Sequence, residues 1–486
     1  MDMPATPMWQ QHIFLGSWQN GKGEQVNVIE PATGETISRL KAATAEDVDR
    51  AATIARDAQR QWAETPFDQK AEILRKAAAL LKERADEING WNIRECGSIG
   101  PKADWELQAT YEQAQMAAAL PMQPSGEIFP SNIPGKRNYW KRVPIGTVGV
   151  IAPWNFPILL AMRSVFPALA MGNCVILKPD PKSSICGGVL MAKVLEDAGL
   201  PKGVFHVLPG GPEVGQALVE HSLVKMISFT GSTAVGKKIG ETCGRMLKKA
   251  ALELGGNNAQ VVLEDADLDI ASSCGAWGSF LHQGQICMQT GRHLVHSSVA
   301  GEYIERLATR AGNLAYGNPA QEQVHLGPLI NTVQAKRVED IVNRSVEMGA
   351  RIVVGGKRNG NYYEATVIAD VTPDMPVFYE EIFGPVAPVM TFDSDESACA
   401  LVNESPYGLA AAIHSGSTER ALKIANRIQV GMVHINDQTV NNEFQVPFGG
   451  MGSSGNSGRF GGPANIEEFT TSQWISVLEE GIPYPF

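Results

Sequence analysis

Short apolar runs that alternate with helix-like segments restrict the possible folds of this chain more than any other feature. In the first half of the chain, such runs cover residues 148–152, 174–177, 204–208 and 226–229. Runs of this length, spaced roughly every 20 to 30 residues, are typical of buried strands joined by right-handed helical crossovers. The sequence therefore predicts an α/β fold built on a parallel sheet of the kind that binds nucleotides.

The same alternation resumes in the second half of the chain and predicts a second α/β domain. The apolar runs there cover residues 259–263, 351–354, 386–392, 409–414 and 431–436. Before the first sheet, Thr44 and Asp47 have the spacing of a capping box, and apolar residues then recur at helical spacing as far as Trp62. A second helix is expected after Pro66.

Two segments outside these domains have the pattern of protruding strands. Residues 121–144 alternate polar and apolar side chains and contain several prolines, which suits a hairpin better than a core element. The final segment, 467–477, has a similar pattern. Unpaired strands of this kind often complete a sheet on a neighbouring subunit, so we expect a homo-oligomer.

Charge and cysteine content exclude several classes of function. The formal net charge is −11 and no sustained cationic stripe occurs, so nucleic acid and membrane surfaces are poor partners. The nearly uncharged stretch 148–177 contains three prolines, which argues against a membrane span. The N-terminus lacks the pattern of a secretory signal, so we expect a cytoplasmic protein. Seven cysteines without CxxC spacing argue against a disulfide framework and against a metal site.

Two positions near predicted strand ends are candidates for binding a nucleotide. The run 226–229 leads into Gly231 and Ser232, followed by a helix whose first turns carry Val235 and Gly236. A helix N-terminus suits a pyrophosphate, although a plain helix cap has the same pattern and GxGxxG is absent. Lys178 follows the run 174–177, where a doubly wound sheet places ligand-binding groups; a solvated lysine is the alternative interpretation.

Three further residues are candidates for the chemical steps. Cys287 stands in a polar, glycine-bearing turn after an apolar helix at 271–280, although most cysteines are inert buried residues. Glu253 lies at the end of an apolar strand, where burial would raise its pKa and suit it to act as a base; it also fits an outward-facing strand residue. The Asn155 amide, in a turn between two prolines, suits either an oxyanion donor or a structural Asx turn.

Taken together, these segments resemble the aldehyde dehydrogenase superfamily from about residue 25 to the C-terminus. The shared motifs are PWNFP (153–157), FTGSTAVG (229–236), LELGG (252–256), GQIC (284–287), EEIFGP (380–385) and PFGG (447–450). The resemblance implies a Rossmann-type cofactor domain at 1–122 and 145–256 and a catalytic domain at 257–455. It also implies small oligomerisation elements at 123–144 and 467–486, and a homodimer or homotetramer.

The resemblance also implies a role for each residue that matches a motif. Cys287 would be the nucleophile and Glu253 the general base, while the Asn155 amide and the Cys287 backbone N–H would form the oxyanion hole. The residues expected to contact the cofactor are Ala152, Pro153, Trp154, Lys178, Gly231, Ser232, Val235, Gly236, Leu254, Glu381 and Phe383. Within this set, Lys178 and Glu381 would hold ribose hydroxyls, Ser232 a pyrophosphate oxygen, and Phe383 would pack beside the nicotinamide ribose.

The implied reaction is oxidation of a small-molecule aldehyde to a carboxylic acid through a thiohemiacetal and a thioester on Cys287. One departure concerns the cofactor. Many NAD-preferring relatives have a glutamate three residues after the ribose-binding lysine, and here that position is Pro181. Asp180 is a potential substitute, so NAD is the expected cofactor, with NADP as a second one.

Within the superfamily, segments 227–249, 279–288 and 446–470 are most similar to benzaldehyde dehydrogenases of bacterial aromatic degradation. An aromatic substrate is therefore expected, in a tunnel lined by Phe156, Leu160, Arg163, Leu281, Ile286 and Phe448. The alternatives are a vanillin-like, aliphatic or semialdehyde substrate on the same scaffold, or a CoA-acylating enzyme, which Glu253 argues against. A catalytically silent protein on the same fold is disfavoured because Cys287, Glu253 and Asn155 are all present.

Overall fold

Two seven-stranded sheets with helices packed against them form most of the computed structural model, which describes residues 7–486. The predicted α/β class is confirmed. Residues 1–6, which the sequence-based division assigned to the cofactor domain, lie outside the described residues.

The first sheet contains all four strands that were predicted in the first half of the chain. Its strands, in spatial order, are Lys249–Glu253, Val224–Thr230, Thr147–Ile151, Cys174–Lys178, Phe205–Val207, His12–Leu15 and Trp18–Asn20. The first five are parallel, and the two N-terminal strands add antiparallel to one edge. Strand order reverses between Thr147–Ile151 and Val224–Thr230, which makes their carboxyl ends the expected place for a ligand.

Four residues of the chain separate the last strand of the first sheet from the strand Asn258–Val262 of the second sheet. Its strands, in spatial order, are Arg351–Val354, Thr366–Ala369, Val386–Phe392, Thr290–His296, Asn258–Val262, Ala410–His414 and Met432–Ile435. All neighbours are parallel except the first pair. The five predicted runs are strands here, while Thr366–Ala369 and the central strand Thr290–His296 were not predicted.

A third sheet joins the two protruding segments within one chain. Lys136–Pro144 pairs antiparallel with Thr470–Leu478 along nine residues and with Gly126–Phe129 on its other side. The expectation of unpaired strands was therefore wrong, because these segments are each other's partners. Three smaller pairs complete the strands: Gln25–Ile29 with Thr36–Lys41, Arg358–Asn359 with Tyr362–Tyr363, and Tyr407–Gly408 with Met451–Gly452.

The helices include the two that were predicted near the N-terminus. Thr44 and Asp47 form a reciprocal capping box at the start of the first helix, as their spacing predicted. None of the helices within residues 7–486 is both long and apolar enough to cross a membrane. The α-helices are Ala45–Glu64, Phe67–Glu83, Ala85–Cys96, Gly100–Ala117, Pro157–Ala170, Leu190–Asp197, Pro212–Glu220, Thr233–Arg245, Leu268–Phe280, Ala300–Gly312, Thr332–Glu347, Pro376–Tyr379, Asp395–Asn403, Thr418–Ala425 and Ala464–Glu468.

The helix Pro157–Ala170 is buried along its whole length. It is apolar on every side, which is typical of a helix enclosed by other elements rather than one with a solvent face. It packs against both Gly100–Ala117 and the strand Thr147–Ile151. The turn that leads into this helix is therefore held in place from several directions.

Candidate active site

The candidate residues gather where the carboxyl edge of the first sheet meets the loops that enter the second sheet. Asn155 follows the strand Thr147–Ile151, Lys178 ends Cys174–Lys178, and Glu253 ends Lys249–Glu253. Cys287 lies three residues before the strand Thr290–His296. Residues that are far apart in sequence thus converge because parallel strands end at one edge of a sheet.

Cys287 is half-buried in the wall of a cavity of about 870 Å³. Burial raises the pKa of its thiol to about 12, an effect that the nearby Arg163 guanidinium opposes. The thiol therefore holds its proton at neutral pH until a base accepts it. Side chains that line the same cavity include all six predicted tunnel residues, Phe156, Leu160, Arg163, Leu281, Ile286 and Phe448, together with Trp105, Trp277 and Phe280.

The loop that carries Cys287 has an unusual backbone. His282, Gln283 and Gly284 all have positive φ angles, of 49°, 55° and 68°. A Cβ on Gly284 would lie 2.2 Å from the carbonyl oxygen of Gly384, so only glycine fits there. One residue further, the Gln285 carbonyl oxygen accepts a hydrogen bond of 2.8 Å from Asn155 Nδ2. The Asn155 amide thus contacts the loop two residues before the thiol.

Glu253 is 2% exposed, and neither of its carboxylate oxygens has a hydrogen-bond partner in the described part of the chain. Burial raises its pKa to about 8, while the charges of Arg163 and Arg459 act in the opposite direction. The sequence allowed either a buried base or an outward-facing strand residue, and the structure has a buried carboxylate. A buried carboxylate with free lone pairs can accept a proton.

Arg163 lies between two aromatic rings at the edge of the cavity. Its Cζ is 4.7 Å from the ring centre of Phe448 and 4.8 Å from that of Phe460. Its Nη2 donates to Thr230 Oγ1 over 3.3 Å, and its Nε has no acceptor within residues 7–486. Thr230 pairs with Glu253 in the sheet, so this guanidinium stands beside the strand end that carries the candidate base.

A buried ion pair behind Asn155 was missed by sequence reasoning. Lys102 Nζ contacts Glu106 Oε2 at 2.6 Å and donates to the Asn155 backbone oxygen over 2.8 Å. Lysine and glutamate four residues apart on a helix are usually an exposed pair, so their spacing gave no reason to place them in the core. In the structure both residues belong to one buried stripe of their helix, together with residues 103, 107 and 110.

The residues expected to contact a cofactor surround the edge of the first sheet. Trp154 and Phe383 form an edge-to-face pair with ring centres 5.6 Å apart. Lys178 is 7% exposed, and its Nζ donates to the Pro179 carbonyl oxygen over 3.2 Å. Its backbone oxygen accepts from the Ala152 N–H, and Pro153 comes next in the chain. The structure describes no hydrogen bond between Lys178 and Glu381.

The start of the helix Thr233–Arg245 has the expected strand, turn and helix order. Ser232 is its N-cap, yet the Ser232 side chain makes no capping hydrogen bond, and the Gly231 N–H donates to the Glu253 carbonyl oxygen. A Cβ on Gly236 would lie 2.2 Å from Leu254 Cδ2, so glycine allows this helix to approach the LELGG segment. Val235 is exposed beside it.

Glu381 is held by the glycines of the same segment. Its Oε1 accepts a hydrogen bond of 2.9 Å from the Gly256 N–H, and burial raises its pKa to about 7. A Cβ on Gly255 would lie 2.4 Å from Glu381 Oε2, so a larger residue there would displace the carboxylate.

The segment after Lys178 forms a short 3₁₀ helix, Pro181–Ser183. Asp180 caps it by accepting from the Lys182 N–H over 2.9 Å, and the Lys182 ammonium lies 3.4 Å from the same oxygen. Pro181 is exposed. The carboxylate of Asp180 is thus engaged by its own turn, with a cation next to it.

Comparison with known proteins agrees with this arrangement. The aldehyde dehydrogenase family model matches residues 18–475. The chain is 57% identical to a benzaldehyde dehydrogenase [NAD(+)] of Pseudomonas putida, covering 99% of each chain, and 51% identical to a vanillin dehydrogenase of an Amycolatopsis species, covering 98% of each. It superimposes with a TM-score of 0.95 on a salicylaldehyde dehydrogenase of Pseudomonas putida G7 solved with salicylaldehyde, at 31% identity over 98% of this chain and 99% of that one. The chain therefore belongs to the aldehyde dehydrogenase family.

Proposed function

We propose that the protein oxidises aromatic aldehydes to carboxylic acids with NAD, through a thioester on Cys287. The cavity that contains this thiol carries the proposal, because five aromatic side chains, Trp105, Phe156, Trp277, Phe280 and Phe448, line it. Apolar walls of this kind bind a flat ring through its buried faces. The names of the two close relatives and of the salicylaldehyde complex support the same substrate class.

The residues at the edge of the first sheet fit a dinucleotide. Ser232 leaves the first N–H groups of a 13-residue helix without a side-chain cap, and such a helix start binds phosphate oxygens. The Lys178 ammonium and the Glu381 carboxylate suit ribose hydroxyls, and the edge-to-face Trp154–Phe383 pair offers an apolar contact. When bound, NAD supplies the oxidant, since its nicotinamide accepts the hydride that leaves the substrate carbon.

The first steps use Cys287 and Asn155. The thiol loses its proton to a base, and the sulfur then forms a bond to the aldehyde carbon, whose oxygen takes the negative charge. The Asn155 amide has two N–H groups, of which the structure engages one with the Gln285 carbonyl oxygen. The other, with the Cys287 backbone N–H, would stabilise this oxyanion until the carbonyl re-forms and the hydride leaves.

Glu253 would then release the product. It would take a proton from water as the hydroxide adds to the thioester carbon, and the bond to Cys287 sulfur would then break to give the acid and a thiolate, to which Glu253 returns the proton. Both oxygens of Glu253 lack a hydrogen-bond partner within residues 7–486, so they are free to accept a hydrogen bond from that water.

The division of the chain and its assembly are also proposals. We infer a cofactor domain that ends near residue 256, because the first sheet ends at Glu253 and the second begins at Asn258. We further propose a homodimer or homotetramer. The third sheet supports it with exposed apolar side chains, among them Ile128 and Trp474, about 70% exposed.

A kinetic screen of aldehydes with both cofactors tests the proposed function. Benzaldehyde and ring-substituted benzaldehydes should have higher kcat/KM than acetaldehyde or propanal, with a graded difference because one apolar group contributes about 1 to 3 kcal/mol. Addition of CoA should not accelerate turnover. The proposal would be rejected if the kcat/KM of acetaldehyde or betaine aldehyde exceeded that of benzaldehyde by roughly tenfold, because an apolar wall should favour the larger apolar group.

A further inference from the structure

The Lys102–Glu106 pair is almost completely enclosed. The side chains are 1% and 0% exposed, and each is bonded to neighbours beyond its partner. Ser98 Oγ accepts from Lys102 Nζ over 3.1 Å, and Asn92 Nδ2 donates to Glu106 Oε2 over 2.7 Å. A further hydrogen bond, from Ser98 Oγ to Asn92 Oδ1, closes this network. The four side chains therefore hold one another in place.

The pair forms hydrogen bonds with the turn that carries Asn155 and with the start of the helix that follows it. Lys102 Nζ donates to the backbone oxygen of Asn155, and the same ammonium lies 4.3 Å from the ring centre of Phe156. Glu106 Oε1 accepts from the backbone N–H groups of Ile158 and Leu159, over 2.9 and 3.1 Å. The helix Pro157–Ala170 has no side-chain cap of its own, so Glu106 replaces one from another helix.

We propose that Lys102 and Glu106 are positioning residues that hold the Asn155 amide in register with the Cys287 loop, a role that rests on the proposed oxyanion function of Asn155. A buried ion pair gives little net stability compared with apolar residues of similar volume. Accurate positioning of the Asn155 turn is a better explanation for this ion pair, because a displacement of about 1 Å near reacting atoms can cost on the order of a hundredfold in rate. The Phe156 ring, which lines the substrate cavity, is fixed by the same ammonium.

The chain offers a matched control for loss of a buried cap. Glu95 is buried on the preceding helix and caps a different helix start, where its oxygens accept from the Ile185 and Cys186 N–H groups over 3.0 and 2.9 Å. Glu95→Gln replaces a buried carboxylate that accepts from two successive backbone N–H groups, as Glu106→Gln does. Neither of these hydrogen bonds of Glu95 reaches the turn at Asn155.

A double-mutant cycle separates positioning from stability. The first-turnover burst of NADH from benzaldehyde is measured at saturating NAD in the unmodified protein, in Lys102→Met, in Asn155→Ala and in the double variant. Thermal unfolding and the Kd for NAD are measured alongside. Glu106→Gln, which preserves shape, serves as a second route if Lys102→Met fails to fold.

If Lys102 acts through Asn155, Lys102→Met slows the burst by roughly tenfold or more, but by less than about threefold once Asn155 is alanine. Glu106→Gln should slow the burst too, while Glu95→Gln should not, and the Kd for NAD should stay within about twofold. Equal slowing by Lys102→Met in both backgrounds, or an unchanged burst in Lys102→Met and Glu106→Gln, would overturn the positioning role. A protein that forms no NADH from benzaldehyde, or an Asn155→Ala variant as fast as the unmodified protein, would instead contradict the proposed function.

Discussion

At the scale of single residues, the proposed role of Glu253 predicts how the reaction depends on pH. Its pKa is raised to about 8 by burial, and only the ionised carboxylate can accept a proton from water. Steady-state turnover limited by deacylation should therefore rise with pH and level off above an apparent pKa near 8. A pH profile of kcat that is flat between pH 6 and about 9 would contradict the assignment.

Arg163 should shift that profile, because its positive charge favours the ionised forms of both Glu253 and Cys287. Arg163→Leu removes the charge and should move the apparent pKa of kcat to higher pH, by about one unit. Arg163→Lys keeps the charge and serves as the control. An identical profile in Arg163→Leu would show that the guanidinium acts only through its packing between Phe448 and Phe460.

The same carboxylate should make the fold less stable at high pH. The pKa of Glu253 rises from an ordinary value of 4.5 to about 8 on folding, so between these values the folded state binds more protons than the unfolded state. The contribution of Glu253 to the unfolding free energy is fully present below pH 4.5 and is lost as the pH rises through 8. Relative to wild type, Glu253→Gln should gain on the order of a few kcal/mol of unfolding free energy across this range. Denaturant unfolding at several pH values measures the difference in unfolding free energy between the two proteins. A difference that does not change with pH would refute the prediction.

Sequence reasoning identified the residues that belong to motifs and missed those that support them. Cys287, Glu253 and Asn155 stand in short segments of unusual composition, so the sequence alone makes them candidates for the chemical steps. Lys102 has no such signal, because a helical Lys–Glu pair has the same spacing on a surface as in a core. Only the packing of its helix against Pro157–Ala170 brings it to Asn155.

At the scale of elements, most of the apolar strands were predicted, whereas the short strand Thr366–Ala369 and the polar central strand were not. Thr290–His296 contains Arg292 and His293, both buried, which hide the apolar pattern of a core strand. Arg292 donates to the Asn257, Leu401 and Val402 carbonyl oxygens, and His293 bonds to Tyr303 and Ser279. These partners come from other elements, so the compensation for burying polar groups is not visible locally.

The element after Lys178 gives a prediction about cofactor choice. Asp180 is occupied by its own turn, Lys182 adds a positive charge beside it, and Pro181 offers no charge. Discrimination against NADP should therefore be incomplete. Pro181→Glu should raise the ratio of kcat/KM for NAD over NADP by roughly tenfold through repulsion of the 2′-phosphate, weakened by solvent screening. Pro181→Gln is the uncharged control, and equal ratios in the two variants would exclude a charge effect.

At the scale of the whole molecule, the proposed oligomer leads to a prediction about the third sheet. Ile128, Tyr139 and Ile475 lie in one row across it, and both isoleucines are exposed. Ile128→Glu combined with Ile475→Glu should shift the protein to a smaller species in light scattering coupled to size exclusion. Val333→Glu, an exposed apolar site elsewhere, controls for charge. An oligomer unaffected by the double change, or a monomeric unmodified protein, would contradict the proposed interface.

The proposed site lies where the carboxyl edge of the first sheet, which carries Glu253, meets the loop with Cys287 that leads into the second sheet. The most direct test of this account is a single experiment on Glu253→Gln, in which acylation should proceed and deacylation should stall. Mixed with benzaldehyde and NAD, the variant should release one NADH per active subunit in a burst, and mass spectrometry should find a benzoyl group on Cys287. A variant that turns over steadily without a burst, or that carries the acyl group on another residue, would contradict the account.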